Sequence, residues 1–102
     1  MQVLWTDIAI DSLNNVYRFA LNKWNEVLAE NLLELVDRSI DSIINHPDIG
    51  ISIPNTSFRY LIMHKHLSLY YQCKKDSLKI LLIWDNRQNP KALSALLAKH
   101  QP

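Results

Sequence analysis

Five side chains on or next to predicted strands could act on an anionic group: Arg59, Lys65, Tyr70, Lys79 and Arg87. Arginine and lysine can stabilise the negative charge that develops on a phosphoryl group during transfer. A tyrosine hydroxyl can transfer a proton, and its ring can stack on a nucleic-acid base. The same residue types also occur on strands that simply face solvent, so that alternative stays open. The catalytic candidates are Arg59, Arg87, Lys65 and Tyr70.

Polar residues crowd the turn that follows the most apolar segment of the chain. The run from Ile80 to Trp84 contains no Gly or Pro, and polar residues follow at once as far as Pro90. A buried strand would therefore deliver hydrogen-bonding side chains to one edge of the molecule, where functional groups are often held. The alternative is a polar turn that only ends the strand. The predicted binding residues are Arg59, Lys79, Asp85, Asn86, Arg87 and Gln88.

The other reactive residue types do not suggest a second chemistry. Among the four histidines, His64 and His66 lie two apart, but no cysteine pair or His-Glu spacing accompanies them, so we expect no metal site. The single cysteine, Cys73, excludes an internal disulfide and fits a reducing compartment. The single glycine argues against a phosphate-binding glycine loop. We expect no cofactor.

The sequence also predicts no membrane partner. No run approaches the roughly 18 apolar residues that a membrane span requires. The N-terminus has no basic segment followed by a long apolar one. These features predict a cytoplasmic protein.

Charge is divided unevenly along the chain. The net charge is +1, but residues 1–50 carry three basic against eight acidic residues, and residues 51–102 carry eight basic against two acidic residues. The halves therefore have net charges of −5 and +6. A basic second half predicts an anionic partner, which could be RNA, DNA or an acidic protein segment.

The apolar periodicities predict one domain over residues 1–102, with the order β-α-α-β-β-β and a short C-terminal helix. Spacings of three and four residues predict one helix capped by Thr6 or Asp7 and running to about Trp24. A second helix begins at Asn25 and ends before His46-Pro47, and the almost absent loop predicts an antiparallel helical hairpin. The predicted strands are Gln2–Trp5, Phe58–Met63, His66–Cys73 and Leu78–Asp85, the final helix is Lys91–Lys99, and Asp48–Ser57 is predicted as a loop.

The strand Leu78–Asp85 is predicted to be central, because a continuous apolar run requires cover on both faces. The strands Gln2–Trp5 and His66–Cys73 should flank it, and the helical hairpin should cover one face of a mainly antiparallel sheet. This arrangement is α+β. The residues expected to face the sheet from the second helix are Leu28, Leu32, Leu35, Val36, Ile40, Ile43 and Ile44.

Short motifs in a consistent order resemble the RelE/ParE superfamily of bacterial type II toxin–antitoxin toxins, and its ParE-like branch in particular. The resemblance covers nearly the whole chain, although each motif is only a few residues long. The matching segments are the opening strand to Trp5, Ala9 with Asp11-Ser12-Leu13, His46-Pro47-Asp48-Ile49-Gly50, Phe58-Arg59-Tyr60-Leu61, Ser68-Leu69-Tyr70-Tyr71 and the terminal Ile83–Pro90.

The resemblance implies a compact toxin that a cognate antitoxin wraps and neutralises. ParE-like members inhibit DNA gyrase, whereas RelE-like members cleave mRNA on the ribosome with basic residues and usually a Tyr or His near the C-terminus. Here no Tyr follows the last strand, His100 is distant, and a net charge of +1 is low for a protein that enters a ribosomal site. The sequence therefore favours a ParE-like growth inhibitor. An mRNA interferase, or a module protein that has lost toxicity, remains the alternative.

Two of the matching segments contain an arginine, Arg59 in one and Arg87 in the other. In a sheet of this order Arg59 and Arg87 can converge on one concave face, although the sequence does not fix the distance between them. Each guanidinium offers a planar fork suited to phosphate or carboxylate. If the pair is not functional, Arg87 is expected to bond within its own loop, beside Asp85.

Overall fold

A five-stranded mixed sheet organises the described part of the chain. The computed structural model describes residues 1–23 and 26–100, without the side chains of Lys23, Glu26 and Leu28. The predictions for Trp24, Asn25 and the Leu28 side chain lie outside the described residues. The strands are β1 (Gln2–Trp5), β2 (Ile51–Ser52), β3 (Phe58–His64), β4 (Leu67–Lys74) and β5 (Ser77–Asp85), and the helices are α1 (Asp7–Lys23), α2 (Glu26–Asn45) and α3 (Pro90–Ala98).

β5 lies between β1 and β4, as predicted. The strand order is β1-β5-β4-β3-β2, with β1 parallel to β5 and all other neighbours antiparallel. Every residue of β5 from Ile80 to Trp84 is buried. Continuous burial arises because α1 and α2 cover one face of the sheet while α3 covers the other. The predicted α+β class is confirmed.

A β-bulge allows β5 to contribute to both apolar layers. Tyr70 and Tyr71 of β4 pair with Leu82 and Ile80, so Leu81 is an extra residue on β5. The bulge reverses the alternation of side chains, and Leu81 and Leu82 both join the cluster beneath α3. A bulge of this kind explains why the sequence of β5 is apolar without a period of two.

Thr6, just before α1, and the first turns of α1 complete the hydrogen bonding of β5. Thr6 Oγ1 accepts from the Ala9 N–H (3.0 Å) and donates to the Leu81 carbonyl (2.9 Å). The Ile83 N–H donates to Ser12 Oγ (2.9 Å). β1 is too short to pair with this part of β5, so side chains of α1 satisfy backbone groups that would otherwise be unpaired.

The predicted stripe of α2 packs on the sheet. Leu32, Val36, Ile40 and Ile43 are buried in one cluster with Ala9 and with residues of β4 and β5. Ile44 is half-buried against the same cluster. The prediction was wrong for Leu35, which is half-buried outside this cluster because it faces the open space between α2 and the β3–β4 turn. α2 ends at Asn45, before His46-Pro47, as predicted.

α3 covers the second face of the sheet, and the sequence did not predict this side. The Asn89 side chain caps the helix by accepting from the Lys91 N–H (2.9 Å), and Pro90 occupies its first turn, where a missing N–H costs no hydrogen bond. Its half-buried residues Leu93, Leu96 and Leu97 pack on the cluster of Phe58, Tyr70, Leu81, Leu82 and Trp84.

The prediction of a loop throughout Asp48–Ser57 was wrong at Ile51–Ser52, which form β2 and pair with Tyr60 and Arg59. The strand is only two residues long, so no alternation could reveal it. The hairpin turn that follows has Pro54 and then Asn55 with φ 64°. A Pro followed by a left-handed Asn fits a type II turn.

Candidate functional site

An open cleft lies at the end of the sheet where β3 joins β4 and β5 ends. Its volume is about 610 Å³, and the helical hairpin forms its opposite wall. The apolar floor consists of Val16, Phe19, Leu32, Leu35 and Leu67. The polar rim consists of Asn31, Arg38, His64, Lys65, His66, Asp85 and Arg87.

The β3–β4 turn brings a short basic segment to this rim. A register shift between Ile62 and His64 precedes the turn, so Lys65 occupies its exposed tip between two histidines. The chain after β5 is attached to the same turn, because the Asn86 N–H donates to the His66 carbonyl (2.6 Å). Asn86 Nδ2 also donates to the buried Ser68 hydroxyl (3.0 Å). Asn86 is thus used to fix the rim.

Asp85 and Arg87 form an ion pair on the rim. Arg87 Nη2 and Nε donate to the two Asp85 carboxylate oxygens (2.6 and 3.0 Å), and the Arg87 N–H donates to Asp85 Oδ1 (2.9 Å). The side-chain hydrogen bonds from Arg87 lower the pKa of Asp85 despite its partial burial. The Arg87 side chain remains 52% exposed, so its cation still faces solvent and the cleft. Gln88 is exposed beside it.

Arg59 lies in a second polar cluster, at the other end of the sheet. Its Nη1 donates to the Gly50 carbonyl (2.9 Å), and its Nη2 lies 3.5 Å from a carboxylate oxygen of Asp48. The Tyr71 hydroxyl accepts from the Gly50 N–H and donates to the Pro47 carbonyl, both at 2.9 Å. These contacts fasten the segment after α2 to the sheet.

Arg59 and Arg87 do not converge. Arg59 pairs with Tyr71, which pairs with Ile80, whereas Arg87 lies beyond Asp85. Ile80 and Asp85 are five residues apart on β5, which corresponds to roughly 16 Å in an extended strand. The possible common face is not formed, because Arg59 lies near the start of β3 and Arg87 lies just after the end of β5.

Two other candidates lie on the second face of the sheet. Tyr70 is buried under α3 and stacks on Tyr60 with ring centroids 5.3 Å apart. Burial, and then the neighbouring Tyr60, raise the pKa of Tyr70. Lys79 is half-buried on the same face, near His100 at the end of α3. Of the original candidates, only Lys65, Asp85 and Arg87 line the cleft.

Comparisons with known proteins identify the family of the chain. Residues 3–90 match the family model described as the ParE toxin of the type II toxin–antitoxin system parDE. The chain belongs to the ParE toxin family. A toxin of a type II system has a cognate antitoxin as its partner.

Solved structures share the fold of this ParE-family toxin at low sequence identity. The chromosomal ParDE system of P. aeruginosa aligns with a TM-score of 0.70 and 17% identity over 83% of this chain and 95% of that one. A YoeB/ParE toxin from Agrobacterium tumefaciens gives 0.61 and 13% over 83% and 98%, and YafQ from E. coli gives 0.57 and 8% over 84% and 93%. No curated protein sequence matches the chain.

The family match ends where α3 begins. It stops at residue 90, and Pro90 is the first residue of α3. The apolar cover of the second sheet face is therefore an element of this ParE-family toxin that lies outside the matched domain.

Sequence reasoning missed the contributions of His64, His66 and Arg38 to the cleft. The signal for the histidines was their position on either side of Lys65 in a predicted turn. Arg38 gave no signal, because its proximity depends on how α2 docks against the β3–β4 turn.

Neither a cluster of metal-ligating side chains nor a membrane-spanning helix occurs in the described part of the chain. Residues 1–23 and 26–100 contain no group of three His, Cys, Asp or Glu side chains that could hold a metal ion. No described helix is long and apolar enough to cross a bilayer.

Proposed function

We propose that this ParE-family toxin inhibits growth by binding its target, and that the target is DNA gyrase. The observation that carries the proposal is the separation of Arg59 from Arg87. A nuclease needs its cations gathered around one scissile phosphate, whereas here Arg59 fastens a loop at the far end of the sheet. The position of Tyr70 in the cluster beneath α3 supports the same reading, because Tyr70 does not line the cleft that holds Lys65 and Arg87.

The rim of the cleft is the proposed contact surface. Lys65 is exposed at the turn tip, and half of the Arg87 side chain is accessible. Both cations suit carboxylates or DNA phosphates of a gyrase–DNA complex. Asp85 holds Arg87 in a fixed orientation, so little side-chain entropy is lost when Arg87 makes a further contact.

Purified toxin added to gyrase and plasmid DNA tests this directly. We expect loss of supercoiling and accumulation of cleaved DNA, with a reduced effect for Lys65→Glu combined with Arg87→Ala. Lys75→Glu combined with Lys74→Ala is the matched control, because it makes the same change in net charge at two exposed lysines at the opposite end of the sheet. Unchanged supercoiling at every toxin concentration would reject gyrase as the target.

An mRNA interferase is the second candidate, and one observation favours it. His64 and His66 line the same cleft as Lys65 and Arg87. Two imidazoles could act as general acid and base beside cations that stabilise a phosphoryl transition state. In this case, primer extension on ribosome-bound mRNA would reveal discrete cuts, and the double variant His64→Gln, His66→Gln would abolish them. Intact mRNA in toxin-arrested cells would exclude this function.

A further inference from the structure

We propose that the side of the toxin that carries α3 binds the phosphate backbone of duplex DNA. The surface, which we call the α3 surface, consists of the outward side of α3, its C-cap Lys99 and the neighbouring Lys79 of β5. The inference rests on the proposed function for its role in the cell, because DNA is the substrate of gyrase. It adds a contact on the face of the sheet that lies away from the helical hairpin.

The charge of the α3 surface has one sign. Residues 86–102 contain three basic residues and no Asp or Glu. Lys91 and Lys99 are exposed at the two ends of α3. Lys79 adds a cation from the sheet, near His100 at the end of the helix. An anionic partner is therefore attracted to this surface.

The opposite side of the toxin has the opposite charge. The helical hairpin that covers the other face of the sheet contains three basic against seven acidic residues in α1 and α2. A polyanion is repelled by that side and attracted by the α3 surface. The fold therefore sets the orientation in which DNA approaches, although the net charge of the whole chain is only +1.

The outward side of α3 permits close approach to a backbone. The leucines of α3 are used in packing on the sheet, so they do not supply the apolar anchors that a protein partner would bury. Small side chains fill the exposed positions between Lys91 and Lys99, and these are Ala92, Ser94, Ala95 and Ala98. Phosphates can therefore reach both lysines without meeting a bulky group.

The spacing of the two lysines favours duplex DNA. Eight residues separate Lys91 from Lys99, which is roughly 12 Å along a helix axis. The major groove of B-DNA is also about 12 Å wide, so the two ammonium groups can reach phosphates on its two sides. The major groove of duplex RNA is deep and narrow.

Single strands fit the α3 surface less well, because they are bound largely by stacking of bases on aromatic side chains. Tyr70 and Trp84 are buried in the cluster beneath α3. Tyr60 is already stacked on Tyr70. The lysines therefore act without an aromatic platform beside them, which is the arrangement for contact with a backbone and not with bases.

Binding of DNA to the purified full-length toxin tests the proposal without gyrase. The probe is a fluorescent duplex of about 30 base pairs, roughly three helical turns. We expect fluorescence anisotropy to show binding in about 50 mM salt that weakens as salt rises. The logarithm of the affinity should fall with the logarithm of the salt concentration with a slope of about −2 to −3, because each neutralised phosphate contributes about −0.9.

Matched charge reversals locate the contact. Lys91→Glu and Lys99→Glu should each weaken duplex binding at least about threefold and reduce the steepness of the salt dependence by about 1. Arg18→Glu is the control, because it makes the same charge change at an exposed position of α1. It should leave the salt slope unchanged. Thermal melts establish that each variant is folded.

Three results would overturn the proposal. The first is no change in anisotropy at about 0.1 mM toxin, the weak limit of non-specific DNA binding. The second is an equal loss of affinity and slope in Arg18→Glu, which would show that no local surface is involved. The third is tighter binding of single-stranded RNA of the same length, which would assign the surface to RNA. Gyrase is absent throughout, so failure here is distinguishable from failure of the supercoiling assay.

Discussion

At the scale of single residues, the polar side chains of this toxin divide into those that hold backbone segments in place and those that remain accessible. Arg59 and Tyr71 belong to the first group, because their side chains bond to backbone groups of the segment after α2. Asn86 also belongs to it, because its side chain donates to the Ser68 hydroxyl of β4. Lys65 and Arg87 belong to the second group. A sequence reveals residue type but not this division, which is why Arg59 was predicted beside Arg87.

The surroundings of Gly50 leave no room for a side chain. A Cβ added at Gly50 would lie 2.5 Å from the Tyr71 hydroxyl oxygen, 2.8 Å from Tyr71 Cε1 and 2.9 Å from the Tyr60 carbonyl. The two tyrosines are held in the sheet, so little relaxation is available. We predict that Gly50→Ala lowers the free energy of unfolding by about 1–3 kcal/mol, measured by chemical denaturation. Ser52→Ala, at an exposed neighbouring position, is the control, and equal stability of the two variants would contradict the prediction.

The ion pair on the rim should give a specific pH dependence. Arg87 lowers the pKa of Asp85, so the folded state holds this carboxylate ionised more strongly than the unfolded chain does. The resulting stability is present above the ordinary Asp pKa and is lost as pH falls through the lowered value. We predict that Arg87→Ala raises the Asp85 pKa in a carbon-13 NMR titration and reduces the loss of stability in acid. An unchanged Asp85 pKa would show that the contact is not maintained in solution.

At the scale of elements, apolar patterning was sufficient for β5, its two neighbours and the helical hairpin. It was insufficient for β2, which is very short, and for α3, whose apolar stripe can pack on either face of the sheet. β2 is too short to show a period, and the leucines of α3 indicate an apolar stripe without indicating which sheet face it covers. The bulge at Leu81 could not be located either, because a continuous apolar run is compatible with any register.

The docking of α3 should weaken in acid. Burial first, and then the nearby charge of Lys79, lower the pKa of His100, while a hydrogen bond with the Leu81 backbone acts in the opposite direction. Its Nε2 is buried without a hydrogen-bond partner among the described residues. The neutral ring is therefore preferred when α3 is docked, so stability is present above the unfolded His pKa of about 6.5 and is lost as pH falls through the lowered folded value.

Substitution of His100 distinguishes the effect of protonating this side chain from general unfolding in acid. We predict that His100→Gln flattens the pH dependence of the melting temperature between neutral and mildly acidic pH, with fluorescence of the buried Trp84 beneath α3 as a second readout. His46→Gln is the control, because His46 is exposed just after α2. An unaltered pH profile in His100→Gln would assign the transition to another group.

Deletion of α3 distinguishes two roles for this helix: it covers the second face of the sheet, or it forms part of the toxic site. The family match ends at residue 90, so we predict that deletion of Lys91–Pro102 leaves a folded sheet whose second face is exposed. The expected result is retained far-ultraviolet circular dichroism with increased binding of a hydrophobic dye. Loss of toxicity with the fold retained would move the functional site to the C-terminal segment, and global unfolding would show that the matched domain depends on α3.

At the scale of the whole molecule, charge is separated although the net charge is small. The first half, with β1 and the helical hairpin, carries −5, and the second half, with β2 to β5 and α3, carries +6. The fold class could be predicted from the sequence, because it follows from the order and apolarity of the elements. The cleft could not, because its floor and rim come from five elements, α1, α2, β3, β4 and β5, whose mutual docking no local pattern encodes.

The separation of charge should govern how fast partners associate with the toxin. An acidic partner is attracted to the basic half at long range, while short-range contacts within an interface determine how long a partner stays bound. Raising salt from about 0.1 M to about 1 M shortens the screening length from about 10 Å to about 3 Å. We therefore predict that binding of the cognate antitoxin, followed by surface-based kinetics, shows an association rate that falls steeply with salt and a dissociation rate that changes little.

Lys74→Glu with Lys75→Glu should lower the association rate alone, because it reduces the distant positive field without altering the cleft. Arg38→Glu with Lys65→Glu should change both rates, and salt-independent association would show that charge separation has no part in partner capture.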